Sequence, residues 1–287
     1  MTIENALARA VKKLHAKKML SPDLDAEVIL AHVLKKDRAF LFSHLEQSVS
    51  QQKYAKFKKM IQRRIKHEPV AHITGHKYFY KLLIAISRKV LIPRPESELL
   101  VDLGLNYLKN DKRKKITVID VGTGSGAIII ALAKNYKKAK YIGTDKYTSV
   151  LSTARKNARA NKTKIEFIKS DLLNKFNASF WRRNPDILLV ANLPYLPTRV
   201  WKNSMTEVRK FEPREALDGG PDGLRYYRDL VNDLAGIIKK LKSFQTYWEI
   251  HPGQEKELKK ILKQIGAKKI KTHKDLCGRN RVIGWQK

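Results

Sequence analysis

From residue 95 onward the chain alternates between strand-like and helix-like hydrophobic patterns. One junction in that alternation limits the fold more than any other feature. Asp120-Val121-Gly122-Thr123-Gly124-Ser125-Gly126 stands where an apolar strand, Ile116–Val121, gives way to a helix, Ala127–Tyr136. Glycines there let the backbone turn sharply and lie against a ligand with no Cβ in the way. A helix over Glu96–Leu108 is expected before this junction. Behind it the pattern predicts strand Lys140–Thr144, helix Thr148–Ala160, and strands Ile165–Ile168 and Asp186–Ala191. After a long loop come helix Leu224–Leu241, strand Gln245–Ile250, helix Gln254–Ile265 and strand candidates Lys268–Thr272 and Arg281–Trp285. Such alternation predicts a doubly wound α/β sheet with ligands at the carboxyl ends of its strands.

The first part of the chain reads differently. Ile3, Leu7, Val11 and Leu14 repeat as one face of a helix does. Ser21-Pro22-Asp23 carries a capping hydroxyl, a proline for the first helical position and an acid near the positive helix end. Leu24, Val28, Ala31 and Leu34 are the expected buried stripe behind it. A third helix follows Ser50, with Tyr54, Phe57, Ile61 and Ile65 on one side and Lys53, Lys56, Lys58, Lys59, Arg63 and Arg64 mostly outward. Phe79, Leu83, Ala85 and Val90-Leu91-Ile92 suggest short strands before Pro93-Arg94-Pro95. The organisation expected is therefore a small all-helical domain over 1–69, a hairpin linker over 70–94 and an α/β domain over 95–287.

Composition bounds the partners. Sixty Lys and Arg against 27 Asp and Glu leave a net charge of +33, which points to an anionic partner, nucleic acid or ribosome first. The longest apolar run, Ala127–Ala133, is far short of the roughly 18–20 residues a membrane span needs. A single cysteine, Cys277, fits a reducing compartment, and no secretory signal opens the chain, so a cytoplasmic protein is expected. No heptad or swapping signal argues for an oligomer, and a monomer is expected. His67, His72 and His76 read as local packing rather than a zinc site, with no cysteine or carboxylate cluster beside them.

The glycine turn acquires a partner one βα unit later, where the second strand ends in Gly143-Thr144-Asp145. A carboxylate there can accept both ribose hydroxyls of an adenosine moiety, which leaves NAD and S-adenosylmethionine both open. Asn192-Leu193-Pro194-Tyr195 then follows the fourth strand directly. Hydride transfer has no evident use for such a turn, whereas methylation of a planar nitrogen does. The lone pair of an amide or exocyclic amine is delocalised, so the nitrogen must be held in line with the methyl group. The Asn192 side-chain oxygen and the Leu193 carbonyl can accept its two N–H bonds, and Tyr195 can pack on the flat acceptor.

With these residues in place, the chain resembles the peptide chain release factor N5-glutamine methyltransferase family, over nearly its whole length. The likeness extends to Leu24-Asp25-Ala26-Glu27, His72-Ile73-Thr74-Gly75 with Phe79, and the run from Leu91 to Val101. Beyond the tetrapeptide it includes Phe211-Glu212-Pro213, Ala216–Gly220, Asp222-Gly223-Leu224 and Tyr227. The resemblance implies a class I methyltransferase fold, S-adenosylmethionine as donor, and the glutamine of the release factor Gly-Gly-Gln loop as acceptor. It puts Gly122, Thr123, Gly124, Ser125 and Gly126 at the donor's methionine end, Asp145 at its ribose, and Asp171 and Leu172 at its adenine. Asn192 would touch donor and acceptor, with Leu193, Pro194 and Tyr195 completing the glutamine site and Asn192 and Tyr195 as the catalytic pair. The family usually has proline where Leu193 stands, and Glu-Ile-Gly where this chain has Glu249-Ile250-His251. Asn-Leu-Pro-Tyr also occurs in ribosomal RNA adenine dimethylating enzymes. Methylation of adenine N6 in RNA or DNA, or of a ribosomal protein glutamine, are the alternatives.

Overall fold

The computed structural model describes residues 1–111, 113 and 115–287. Five helices come first: α1 (Ile3–Ala16), α2 (Pro22–Leu34), α3 (Arg38–Ser43), α4 (Gln51–Ile65) and α5 (Val70–Thr74). A hairpin of β1 (His76–Phe79) and β2 (Leu82–Ala85) follows, then α6 (Glu98–Asn110), β3 (Thr117–Val121) and α7 (Ala127–Asn135). Next are β4 (Lys140–Asp145), α8 (Thr148–Ala160), β5 (Glu166–Lys169), α9 (Ala178–Arg183) and β6 (Asp186–Ala191). Short helices α10 (Thr198–Lys202) and α11 (Thr206–Phe211) precede α12 (Arg225–Ala235), β7 (Ser243–Glu249), α13 (Glu255–Gln264), β8 (Lys268–Lys274) and β9 (Asn280–Gln286). Two compact units result. One holds 1–76 and the returning segment 205–211; the other holds 77–204 and 212–287.

In the first unit, α1 and α4 are capped by side-chain oxygens: Thr2 accepts from the Asn5 amide at 3.2 Å and Ser50 from that of Lys53 at 3.4 Å. Ser21 makes no such bond. Its ψ of 62° departs from the 164° and 152° of Thr2 and Ser50 and turns the hydroxyl away from the first-turn amides. The expected α2 stripe is also shifted, because Leu24 is 45% exposed and Ala26, Ile29, Leu30, Ala31 and Val33 are buried. Apolar side chains nearly encircle α2, so periodicity alone could not choose its inner face. Arg64 turns inward instead of out, bonding Asp25 at 2.6 Å and Glu207 at 2.9 Å. His76 packs its ring on His32 at 5.4 Å and has Nδ1 3.1 Å from the Thr74 carbonyl.

The second unit carries a seven-stranded sheet in the order β5-β4-β3-β6-β7-β9-β8. β5 through β7 are parallel, and β9 pairs antiparallel with both β7 and β8. The chain runs outward from β3 to β4 and β5, then crosses to β6 on the other side, so the switch in strand order lies at β3. Val121 is level with Thr144 on one side and Ala191 on the other. Gly122, Asp145 and Asn192 thus leave the sheet side by side at its carboxyl edge. Val90-Leu91-Ile92 forms no strand. The Ile92 amide donates to Glu212 at 3.0 Å instead, and Pro93 directly after it has no amide to continue a ladder. Glu212 also takes an ion pair from Arg94, which orders the loop beyond α11.

Candidate active site

A cavity of about 380 Å³ opens at this carboxyl edge. Gly122, Thr123, Gly124 and Ser125 line it together with Asp145, Asp171, Leu172, Asn192, Leu193 and Pro194. Gly126 and Tyr195 stand outside the lining. A Cβ on Gly126 would come within 3.0 Å of Ile130 and 3.2 Å of Ala154, so that position lets α7 and α8 close up. A wider hollow of about 740 Å³ in the first unit, edged by Leu7, Val11 and Leu45, holds none of the residues expected to act.

Each wall of the cavity has a local cause. Gly122 has a φ of +71°, and a Cβ there would lie 2.8 Å from the Leu193 side chain, so the glycine turn and the turn after β6 touch through a missing side chain. Gly124 (φ +56°) has no atom within 3.9 Å of its Cβ position, which leaves room beside the backbone for a ligand. Asp145 is already oriented: Oδ2 accepts from the Gly124 amide and Oδ1 from the Tyr147 amide, each at 3.1 Å. Burial raises its pKa, and those amide bonds oppose the rise. Each oxygen retains a lone pair for a further donor. Asp171 meets Lys146 at 2.7 Å, and Leu172 holds a left-handed φ of +47°, an unusual geometry for a branched side chain.

Asn192 is fixed by a residue that spacing cannot reveal. Its Nδ2 donates to the hydroxyl of Ser97, 95 residues away in sequence, at 3.0 Å. The carboxamide's remaining polar atom, Oδ1, is an acceptor. Tyr195 points its hydroxyl inward to Glu249 Oε1 at 2.8 Å. Burial, and then the neighbouring Glu249, push that hydroxyl well above its ordinary pKa, so it holds its proton and does not serve as a base.

Behind the glycine turn lies a second buried acid. Asp120 is 1% exposed; Oδ2 accepts from the Thr123 hydroxyl at 2.6 Å, and Oδ1 has no partner among the described residues. Burial pushes its pKa up to about 7, against the Thr123 bond and with help from the charge of Asp145. Between the ordinary carboxyl range and about 7, the folded protein holds a proton that the unfolded chain has released. The contribution of Asp120 to stability therefore falls as pH rises through that window, by at most about 1.4 kcal/mol per pH unit. Asp120→Asn is expected to flatten this slope in urea unfolding at pH 5 and 7.5. Equal slopes in the two proteins would contradict the assignment.

Known proteins resemble this chain in both of its parts. The PrmC N-terminal domain profile matches residues 5–75, and a methyltransferase domain profile matches residues 112–267. The release factor glutamine methyltransferase of Agrobacterium fabrum is 34% identical over 290 residues, covering 100% of this chain and 98% of that one. That of Thermodesulfovibrio yellowstonii is 34% identical over 264 residues, covering 92% of each. In fold, the hMettl16 catalytic domain in complex with a MAT2A 3′UTR hairpin superposes with a TM-score of 0.56 at 14% identity, covering 89% of this chain and 90% of that one. Both halves of the chain have their counterpart, and the likeness runs from end to end: the chain belongs to the release factor glutamine methyltransferase family.

Proposed function

We propose that this protein transfers a methyl group from S-adenosylmethionine to the side-chain amide nitrogen of the glutamine in the Gly-Gly-Gln loop of peptide chain release factors. The observation that carries the reading is Asn192, whose Nδ2 is tied to Ser97 while Oδ1 is left as an acceptor at the cavity that the glycine turn lines. S-adenosylmethionine supplies an electrophilic methyl on a positively charged sulfur. The residues present suit it: a side-chain-free backbone at Gly122 and Gly124 for the methionine end, a pre-aimed carboxylate at Asp145 for two ribose hydroxyls, and Asp171 and Leu172 for the adenine. Asn192 Oδ1 and the Leu193 carbonyl accept the two N–H bonds of the substrate amide and turn its nitrogen toward the methyl. Holding reactants in a near-attack arrangement contributes up to roughly 7–11 kcal/mol in ideal systems. No general base is needed before the bond forms, because the surplus proton can leave afterwards. A release factor substrate places this work in the cytoplasm.

Mass spectrometry of a release factor incubated with enzyme and donor is expected to show one added methyl on the loop glutamine. An unmodified glutamine at saturating donor would sink the reading, and label in RNA or DNA instead would favour adenine methylation. The net charge of +33 serves the encounter and not the chemistry, because the acceptor is a neutral amide. Raising ionic strength from about 0.05 to 0.5 M is expected to slow association with the release factor about tenfold or more. Single-turnover methyl transfer should change less than about twofold. Stopped-flow binding beside rapid-quench turnover separates the two, and salt-insensitive association would reduce the charge to a solubility trait.

A further inference from the structure

Two residues five positions apart grip Tyr195 at both ends. Glu249 closes β7 with no exposed surface, and its Oε1 takes the Tyr195 hydroxyl at 2.8 Å. Gln254, also buried, donates from Nε2 to the Tyr195 main-chain oxygen at 2.9 Å and to the Asp222 carbonyl at 3.0 Å. Its Oε1 accepts from the His251 amide at 2.9 Å, so all the amide's polar atoms are engaged. Glu249 is itself held from behind, because the Tyr227 hydroxyl donates to its main-chain oxygen and the Tyr227 ring stacks on Trp248 at 5.4 Å.

A buried carboxyl is a costly way to fill space, and Leu or Met would pack there at less expense. Oε2 of Glu249 has no hydrogen-bond partner among the described residues. Burial raises the carboxyl's pKa, against Ser97, Tyr195 and Arg281 and with Glu96. Its surroundings call for an acceptor: the Tyr195 hydroxyl donates to Oε1, and the Ser97 hydroxyl, whose oxygen receives Asn192 Nδ2, is turned to the same carboxyl.

We propose that Glu249 is a positioning residue for the acceptor turn, fixing Tyr195 directly and the Asn192 carboxamide through Ser97, so that the substrate amide meets one rotamer of each. The inference rests on the acceptor site proposed above. Glu249 touches neither donor nor acceptor; it removes the freedom of the two side chains expected to do so. A misplacement of about 1 Å at such a site can cost on the order of 10²-fold in rate.

Glu249→Gln and Glu249→Leu test this together. Glutamine keeps an acceptor oxygen for the Tyr195 hydroxyl without a titratable proton, and leucine fills the space with none. Glu249→Gln is expected to keep kcat within about threefold, and Glu249→Leu to lose about 30- to 100-fold in kcat. Calorimetric affinity for S-adenosylmethionine should be unchanged in both, a separation that general unfolding would not give. On the free enzyme, hydrogen exchange at amides 193 and 195–196 should quicken in Glu249→Leu alone. If Glu249→Leu does not fold, Ser97→Ala removes the hydroxyl between Glu249 and Asn192, leaves the bond to Tyr195 in place, and is expected to lower kcat about tenfold or more at constant donor affinity. The proposal is overturned if Glu249→Leu, or Ser97→Ala in its place, matches wild type in kcat and exchange. It is equally overturned if Glu249→Gln is as impaired as Glu249→Leu. Should wild-type enzyme leave every release factor unmethylated, the proposed substrate fails, and exchange at the turn still decides the role of Glu249.

Discussion

Asn192→Ala lowers single-turnover methyl transfer by about 10³-fold or more, while affinity for S-adenosylmethionine moves less than about tenfold. Alanine removes the one side-chain oxygen at the cavity whose companion nitrogen is anchored, on Ser97. On the proposed geometry the Leu193 carbonyl remains, so one of the two N–H acceptors would survive and the substrate amide could swing about it. Asn192→Asp supplies oxygens but no donor for Ser97, and places a negative charge beside the acceptor turn. Its expected loss is intermediate, on the order of 10²-fold. Rapid-quench measurement with saturating donor separates these outcomes from product release. An alanine variant within tenfold of wild type would show that this side chain does not hold the acceptor.

Arg64→Ala destabilises the first unit by about 3–5 kcal/mol. Arg64 is 4% exposed and bonds both Asp25 and Glu207. Burial opposes its charge, and the bonds to the two carboxylates raise its pKa in spite of it. Burial also raises the pKa of Asp25 despite Arg64, so the intact triad gains little net energy. Its strength lies in what disruption leaves behind: two acids facing a void where their counter-charge stood. Calorimetry should therefore show the loss in Arg64→Ala and recover most of it in the triple replacement Asp25→Leu, Arg64→Met, Glu207→Leu. A single variant with unchanged melting would contradict the reading.

Much of the second unit was legible because its signals are local. The strand leading to Gly122 and the helix after Gly126 declare themselves through apolar runs broken by glycine. The side-by-side exit of Gly122, Asp145 and Asn192 follows from parallel alternation. What escaped depends on distant partners. Arg64 reads as one more surface cation until Asp25 and the returning segment 205–211 are brought to it. Leu24 obeys helical spacing and is nonetheless exposed, because α2 is apolar on nearly all sides. Helices α3, α9, α10 and α11, each of five or six residues, are too short to show a repeat. In the candidate site, the turn 192–195 is legible in the sequence, and its supports are not. Ser97 is an ordinary serine behind a proline, and Gln254 resembles any polar helix start; only the folded chain sets them against Asn192 and Tyr195.

β9 lies between β7 and β8, with Val282 opposite Glu249 and the Arg281 carbonyl receiving the Ile250 amide at 2.8 Å. During synthesis, the strands that carry the glycine turn and Asp145 emerge first. β9 emerges on the order of ten seconds later, at elongation rates of about 5–20 residues per second. Until then the far side of β7 has no neighbour, and the residues behind the acceptor turn stand at an open sheet edge. The proposed donor half of the site can form before β9 is available, whereas the proposed acceptor half waits for it. On the proposed site, methylating competence would wait on β9, and a nascent chain stalled before residue 280 would carry half a site.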